Sequence, residues 1–305
     1  MFPIIPANSV TAPSGNDEGI FGYGNTGGGS NVSMTNLVSN SGVVASDTTG
    51  VGTARYYLAA TQYGGDKGIF GFGHQAGTGA GSITNLVSNS GVVASDTAGV
   101  GTARYAPAAC SYGEDKGIFG FGYDGVAPYV SMTNLVSNAG VVASDTAGVG
   151  AARYALAACE YGGDKGIFGF GMVSDDTASA LTNLVSNVGV VASDTAGVGT
   201  ARTYLAGCSY GFTKGIVVHG MLGDYSTTSL SNLISNSGVV ASDTAGVGTP
   251  RRNMSGTQYG QDKAIFGFGH GSVSTTQLIS NSGVVASDTA GVGTGRRGLA
   301  ACSYN

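Results

Sequence analysis

Apolar residues fall along this chain in short runs separated by glycine-rich polar stretches, and the runs recur. Gly-Ile-Phe-Gly-Phe-Gly begins at Gly68, Gly117 and Gly166, with variants at Gly19, Gly215 and Ala264, each step being 49 residues. Asn-Leu-Val-Ser-Asn-x-Gly-Val-Val-Ala-Ser-Asp begins at Asn36, Asn85, Asn134 and Asn183, with variants at Asn232 and Gln277; the last step is 45 residues. A third string, Thr-Ala-Gly-Val-Gly-Thr-Ala-Arg, leads into Tyr-Ala-Leu-Ala-Ala-Cys-x-Tyr. No segment keeps a helical period over ten residues, whereas four short apolar runs punctuated by turn residues read as four strands. The first predicted strand is Arg-Tyr-x-Leu-Ala-Ala-Cys-x-Tyr, and a Gly-Gly-Asp-Lys turn follows, as at Gly162 to Lys165. The second is Gly-Ile-Phe-Gly-Phe-Gly. A loop of variable sequence leads to the third, such as Met132 to Val136, and an Asn-x-Gly turn to the fourth, such as Val141 to Ala143. Simple alternation places Phe70 and Phe72 on one face of the second strand.

Four strands in each unit of about 40–50 residues is the pattern of β-propeller blades. The termini bear on closure. The chain stops at Cys302-Ser303-Tyr304-Asn305, where a turn and a second strand are due, and Asn16-Asp17-Glu18-Gly19-Ile20-Phe21 reads as that continuation. The sequence therefore predicts an all-β, six-bladed β-propeller over residues 16–305, with four antiparallel strands per blade. The C-terminal strand pairs with the N-terminal one, which closes the ring and leaves no exposed sheet edge. Residues 1–15 fall outside it. Their apolar, proline-containing start, Phe2-Pro3-Ile4-Ile5-Pro6, predicts an extended arm that attaches the ring to a partner.

Composition narrows the class. Glycine supplies 55 of 305 residues, only 10% are charged, and the formal net charge is -5. No cluster of Lys and Arg marks a nucleic-acid surface, and no apolar stretch reaches the ~20 residues that span a bilayer. The N-terminus lacks the basic and apolar regions of a secretory signal. Cys110, Cys159, Cys208 and Cys302 occupy one position of the repeat, where the other units carry Thr61 and Thr257. Equivalent positions around a ring do not meet at disulfide distance, so these are expected to be thiols. CxxC-type spacing is absent, and no metal or other cofactor is expected.

Arg153, Ala157-Ala158 and Ile167-Phe168-Gly169-Phe170-Gly171 follow the order of a kelch blade, which the chain resembles. It departs in separating the paired glycines with Phe and in lacking the outer-strand tryptophan. The longer string from Asn85 to Arg104 also resembles repeat proteins of tailed phages. That resemblance implies a virion component, such as a tail fibre, tail tip or capsid-attached protein, made in the host cytoplasm. Other virion proteins would then engage residues 1–15, and a host receptor or glycan the ring.

Candidate chemistry is sparse. Asp and Arg recur eight residues apart as Asp47/Arg55, Asp96/Arg104, Asp145/Arg153, Asp194/Arg202, Asp243/Arg251 and Asp288/Arg296. A feature in every unit reads as a structural brace, with Asp capping the glycine loop and Arg bonding to it or to carbonyls. His74, His219 and His270 are not at metal-ligand spacing. His219 stands where other units have an aromatic ring. No nucleophile elbow or zinc-protease motif occurs. The informative contrast lies within the repeat, because the loop between the second and third strands differs in every unit. If the ring binds anything, contacts are expected from Tyr123, Asp124, Tyr129, Asp176, Asp224, Tyr225, His74 and His270, gathered on one face.

Three functions follow from this reading. One is a non-enzymatic virion structural or receptor-binding module. Another is a glycan-active enzyme or lectin on the loop face, which for hydrolysis would need two facing carboxylates about 5–9.5 Å apart. A kelch-like adaptor is a third.

Overall fold

The structure, a computed structural model, describes residues 16–126, 129–174 and 177–305. The described residues hold no helix. Six antiparallel three-stranded sheets recur, each built as inner, middle and outer strand. The first joins the two ends of the chain: Ala300–Tyr304 pairs with Glu18–Gly22, which pairs with Thr35–Val38. The second is Ala59–Tyr63, Lys67–Gly71 and Thr84–Val87. The third and fourth have inner strands Ala108–Tyr112 and Ala157–Tyr161, and the fifth and sixth Ala206–Tyr210 and Ser255–Tyr259. Each inner strand lies beside the next, and that of the sixth sheet lies beside that of the first.

Three cyclic sets of backbone hydrogen bonds run through all six sheets. In one, Tyr57 N donates to Gly298 O, Ala106 to Tyr57, Ala155 to Ala106, Tyr204 to Ala155, Asn253 to Tyr204 and Gly298 to Asn253, at 2.6–3.0 Å. All six residues have φ between 48° and 60°. In the second, Gly24, Gly73, Gly122, Gly171, Gly220 and Gly269 donate to the carbonyls of Arg55, Arg104, Arg153, Arg202, Arg251 and Arg296. The third links the turns after the inner strands, from Gly64 to Asp115 onward, and returns through Gly260 to Asp17 and Asn305 to Asp66.

The structure corrects three details of the strand pattern. The fourth strand of each unit is reduced to two isolated bridges, such as Val38 to Val44 and Thr35 to Thr48. Between those bridges the fourth segment carries one residue more than its partner. The extra residue takes Ala45 O out of the ladder to accept from Asn36 Nδ2 at 2.9 Å. It is a bulge, and it redirects Asp47. The predicted first strand is also shorter, because the left-handed residue at Tyr57 separates Arg55–Tyr56 from Ala59–Tyr63, and Arg55–Tyr56 pairs with the loop strand His74–Gln75.

The third correction concerns packing. Phe72 has φ 64° and ends the alternation, so Phe70 and Phe72 face opposite ways. Phe70 packs with Ile20, Tyr23 and Cys302 of the first sheet, whereas Phe72 packs with Phe119 of the third. The Phe72 and Phe119 rings meet edge to face at 5.2 Å. Gly71 makes room for this, since a Cβ there would lie 2.8 Å from Phe119 Cζ. The same ring-into-glycine fit recurs at Gly22 with Phe70 and at Gly120 with Phe168. It changes at the fifth sheet, which has Val217 for Phe and Val218 for Gly. Phe266 of the next sheet therefore turns onto Gly256, where four of the other units carry Ala. Burying each ring is worth about 1.5–3 kcal/mol, so the inter-sheet contacts are the core.

The cysteines are free and buried. They serve the same packing: a Cβ on Gly68, Gly166 or Gly215 would collide with Cys302, Cys110 or Cys159 of the preceding sheet.

Candidate functional site

The brace residues are brought together, but across a repeat rather than within it. Arg55 faces Asp96, not Asp47, and Asp47 faces Arg296. The remaining pairs are Arg104–Asp145, Arg153–Asp194, Arg202–Asp243 and Arg251–Asp288. The eight-residue spacing is therefore not a contact, because the glycine link between Asp47 and Arg55 carries the chain from one sheet to the next. Each Asp instead receives the link that arrives from the sheet before. Asp96 accepts from Thr53 N at 3.0 Å and from Thr53 Oγ1 at 2.7 Å. Gly52, at φ 77°, lies against Asp96 where any side chain would collide with it.

Each Arg is fully or nearly fully buried and ties its own sheet together. Arg55 donates to Phe72 O at 2.9 Å, Thr53 O at 3.1 Å and Asn85 Oδ1 at 2.6 Å. Its guanidinium also lies 4.3 Å from the centroid of Tyr23 in the preceding sheet. Burial lowers the Arg104 pKa to about 10, which leaves it charged at neutral pH. Partial burial pushes Asp96 up, but bonds from Thr53 and Asn85 and the charge of Arg55 outweigh it and hold the carboxyl below its ordinary value. Nε finds a carbonyl only in Arg55, Arg202 and Arg296 and is unpartnered in Arg104, Arg153 and Arg251, but each guanidinium bonds within its own sheet and faces an aspartate, so the repeated charge is architecture rather than a binding group.

His219 is part of one such brace. It replaces the ring over which Arg251 would lie, and its Nε2 is 2.5 Å from Gln277 Oε1. Gln277 replaces the Asn of the other units, and Arg251 Nη2 donates to the same oxygen at 3.1 Å. Burial pushes the His219 pKa down to about 4, so it is neutral.

The six inner strands line a cavity of about 170 Å³. At the mouth toward the turns stand Gln62, Ser111, Glu160, Ser209, Gln258 and Ser303, one from each sheet. Glu160 accepts from Ser111 Oγ and from Gln62 Nε2, and desolvation pushes its pKa up to about 7. Asn16 Nδ2 donates to Gln62 Oε1 at 2.8 Å, so the chain enters the fold at this mouth. The expected arm, residues 1–15, lies outside the described residues.

The opposite mouth, on the loop side, is uneven. The two residues after each brace Arg read Tyr56-Tyr57, Tyr105-Ala106, Tyr154-Ala155, Thr203-Tyr204, Arg252-Asn253 and Arg297-Gly298. Tyr57 and Tyr204 come from opposite sheets of the cycle, yet their rings meet at 5.7 Å across the mouth. Tyr204 bonds to Tyr154 Oη at 3.0 Å. The loops extend this cluster. His74 contacts Tyr56 and Tyr105, Tyr123 contacts Tyr105, and Tyr129 stacks on Tyr154 at 4.5 Å. An aromatic arc thus covers the second, third and fourth sheets, its rings half-buried. Burial, and then the neighbouring phenols, push the Tyr105 pKa up to about 12, so this phenol is uncharged. Across the mouth, on the sixth and first sheets, stand Arg252, Arg297 and His270. Burial and the charges of both arginines push His270 below its ordinary value.

Of the loop residues expected to make contacts, Tyr123, Tyr129 and His74 join the arc. Tyr225 and His270 lie beside Arg252, whose Nη1 is 3.5 Å from Tyr225 O and whose carbonyl accepts from His270 N. Asp124 and Asp224 bond to the backbone of their own loops, at Val126 N and Ser226 N. Asp176 lies outside the described residues. The sequence reading missed Tyr56, Tyr57, Tyr105, Tyr154, Tyr204, Arg252, Asn253 and Arg297. The signal that marks them is the one that marked the loops, since these two positions vary inside an otherwise uniform string. Glu160 was missed in the same way, at the variable position before Tyr161.

No protein-family model and no curated protein matches this chain. Among the described residues no helix is long and apolar enough to cross a membrane, and no cluster of His, Cys, Asp and Glu is suited to a metal ion.

Proposed function

We propose that the chain is a six-bladed β-propeller that acts as a non-enzymatic recognition module through its loop face. The cyclic contacts of the inner strands and the three hydrogen-bond cycles support the propeller. The aromatic arc carries the functional reading. A scaffold that repeats its core nearly residue for residue departs from repetition at its mouths, and most at the one on the loop side. There it gathers eight aromatic rings, with polar tips, from loops and inner-strand approaches. Half-buried tyrosines offer apolar area and hydrogen bonds at little entropic cost, as recognition surfaces do. Asp124 and Asp224 are held by their own loops, which favours recognition over hydrolysis. We read such a module as a virion component, a tail fibre, tail tip or capsid-attached protein with a host-surface receptor, on the resemblance of the string from Asn85 to Arg104 to repeat proteins of tailed phages.

The test is adsorption of the purified chain to candidate host cells or their surface polysaccharide. Tyr105→Ala and Tyr123→Ala should each abolish it while melting stays cooperative. Unchanged adsorption, together with loss on replacing Lys67, Lys116 and Lys165, would move the contact to the turn face and sink the proposal.

A further inference from the structure

We infer that the loop face takes a glycan that carries a carboxylate, with the sugar on the tyrosine arc and its acid between Arg252 and Arg297. The inference rests on the recognition reading and adds the ligand class. It starts from charge. Six arginines face the aspartates of the braces, and among the described residues Arg252 and Arg297 have no carboxylate partner. The described contacts of Arg252 are Met221 Sδ and Tyr225 O, and no side-chain bond of Arg297 occurs among the described residues. Both sit at the mouth, close enough to Tyr57 that their charges act on its hydroxyl. Two guanidiniums on neighbouring sheets, without a carboxylate partner among the described residues, in a chain of net charge -5 are complementary to an anion.

Orphaned polar atoms give an independent sign. Asn253 is 8% exposed and lines the cavity at this mouth; its Nδ2 donates to Tyr57 Oη at 3.3 Å while its Oδ1 has no partner. Thr203 Oγ1 and His74 Nδ1, from the same face, are also buried without partners. Buried polar atoms rarely go unpaired, and a ligand is one way of pairing them. Hydroxyl groups can supply what an amide oxygen, a hydroxyl and an imidazole nitrogen lack, and a sugar brings several. Its C–H face stacks on phenol rings, and a carboxylate fits the guanidinium fork. A polyanion such as nucleic acid suits the face poorly, because two cations in an acidic protein neutralise few phosphates.

Calorimetric titration tests this with matched probes: sialyllactose against lactose, and trigalacturonate against its methyl ester. At least one acidic member should bind about tenfold or more tightly than its neutral partner, the scale of one strong ionic contact. The doubly substituted Arg252→Gln/Arg297→Gln, which keeps the three carbons from Cβ to Cδ and a polar end but removes the charge, should erase that preference without changing the melting temperature. Tyr105→Ala should weaken both members. Equal binding of acidic and neutral probes, retention of the preference in the Gln variant, no binding to any probe, or tighter binding of a DNA oligonucleotide would overturn the ligand class. Tyrosine-dependent cell adsorption would still uphold the recognition face in each of those cases. If the Tyr105→Ala variant also adsorbs normally, both readings fall.

Discussion

His219 Nε2 and Gln277 Oε1 meet at 2.5 Å across the fifth and sixth sheets, and each occupies a position where its own type occurs once in six units. Elsewhere a phenyl or phenol ring faces an Asn. The longer amide reaches the imidazole that replaced the ring, so the two substitutions compensate. Gln277→Asn alone should strand a buried imidazole nitrogen and cost about 1–3 kcal/mol. His219→Phe alone should cost less, because Arg251 still donates to Gln277. The double variant restores the pattern of the other sheets, with a favourable coupling of about 0.5–3 kcal/mol. Denaturant unfolding measures all four forms, and strict additivity would refute the compensation.

At the Gly71 position of each unit, glycine should matter only where a ring arrives. Gly71→Ala puts a methyl 2.8 Å from Phe119 Cζ and should cost about 1–3 kcal/mol through overpacking. Gly169 is the equivalent position, but Val217 stands opposite, and the nearest atom to a new Cβ is Thr182 Cγ2 at 3.2 Å. Gly169→Ala should therefore be near neutral. Equal losses in the two variants, read by thermal unfolding, would show that backbone freedom rather than ring packing decides.

Removing one brace arginine should be far worse than removing its aspartate. Arg104→Ala strips a buried guanidinium from Thr102 O and Asn134 Oδ1 and leaves Asp145 uncompensated. The expected cost is about 3–5 kcal/mol. Asp145→Asn keeps a hydrogen-bonding group on Thr102 and should cost about 1 kcal/mol. All six aspartates have folded-state pKa values below the ordinary one. Their contribution is present above the unfolded value of 3.8 and is lost as pH falls through the folded values. Acid unfolding should therefore begin below about pH 4, and Asp145→Asn should shift its onset. A melting temperature flat down to pH 2 would contradict this.

Glu160 titrates with the opposite sign. Its folded pKa of about 7 lies above the ordinary value of 4.5, so its contribution is complete below 4.5 and is lost as pH rises through 7. Wild-type melting should fall between pH 5 and pH 8, on top of any general trend. Glu160→Gln, which keeps the bond to Ser111, should flatten the profile and melt about 2–4 °C higher than wild type at pH 8. Parallel profiles for the two proteins would show that the carboxyl is not held in its neutral form.

Much of the fold was legible because the repeat is nearly exact. Strand positions, the turns at Gly162 to Lys165, and the pairing of Ala300–Tyr304 with Glu18–Gly22 could all be read from where the strings begin and stop. The side on which Phe72 packs could not, since alternation assumes extended backbone and Phe72 sits at φ 64°. The partner of Asp47 was equally hidden. Nearness in sequence favours Arg55, while the link between them passes to the next sheet and leaves Asp47 beside Arg296.

The candidate site divides the same way. Loop variability marked Tyr123, Tyr129 and His74 from sequence. That Tyr57 and Tyr204 meet across the mouth, 147 positions apart in the chain, depends on where the cycle of sheets brings opposite inner strands together. Local periodicity and turn chemistry are properties of neighbours along the chain, and they determined the six units and their strands. Which arginines are neutralised, which polar atoms are orphaned, and which aromatic rings share a mouth are set by distances through space. Those distances exist only once the six sheets have packed against one another.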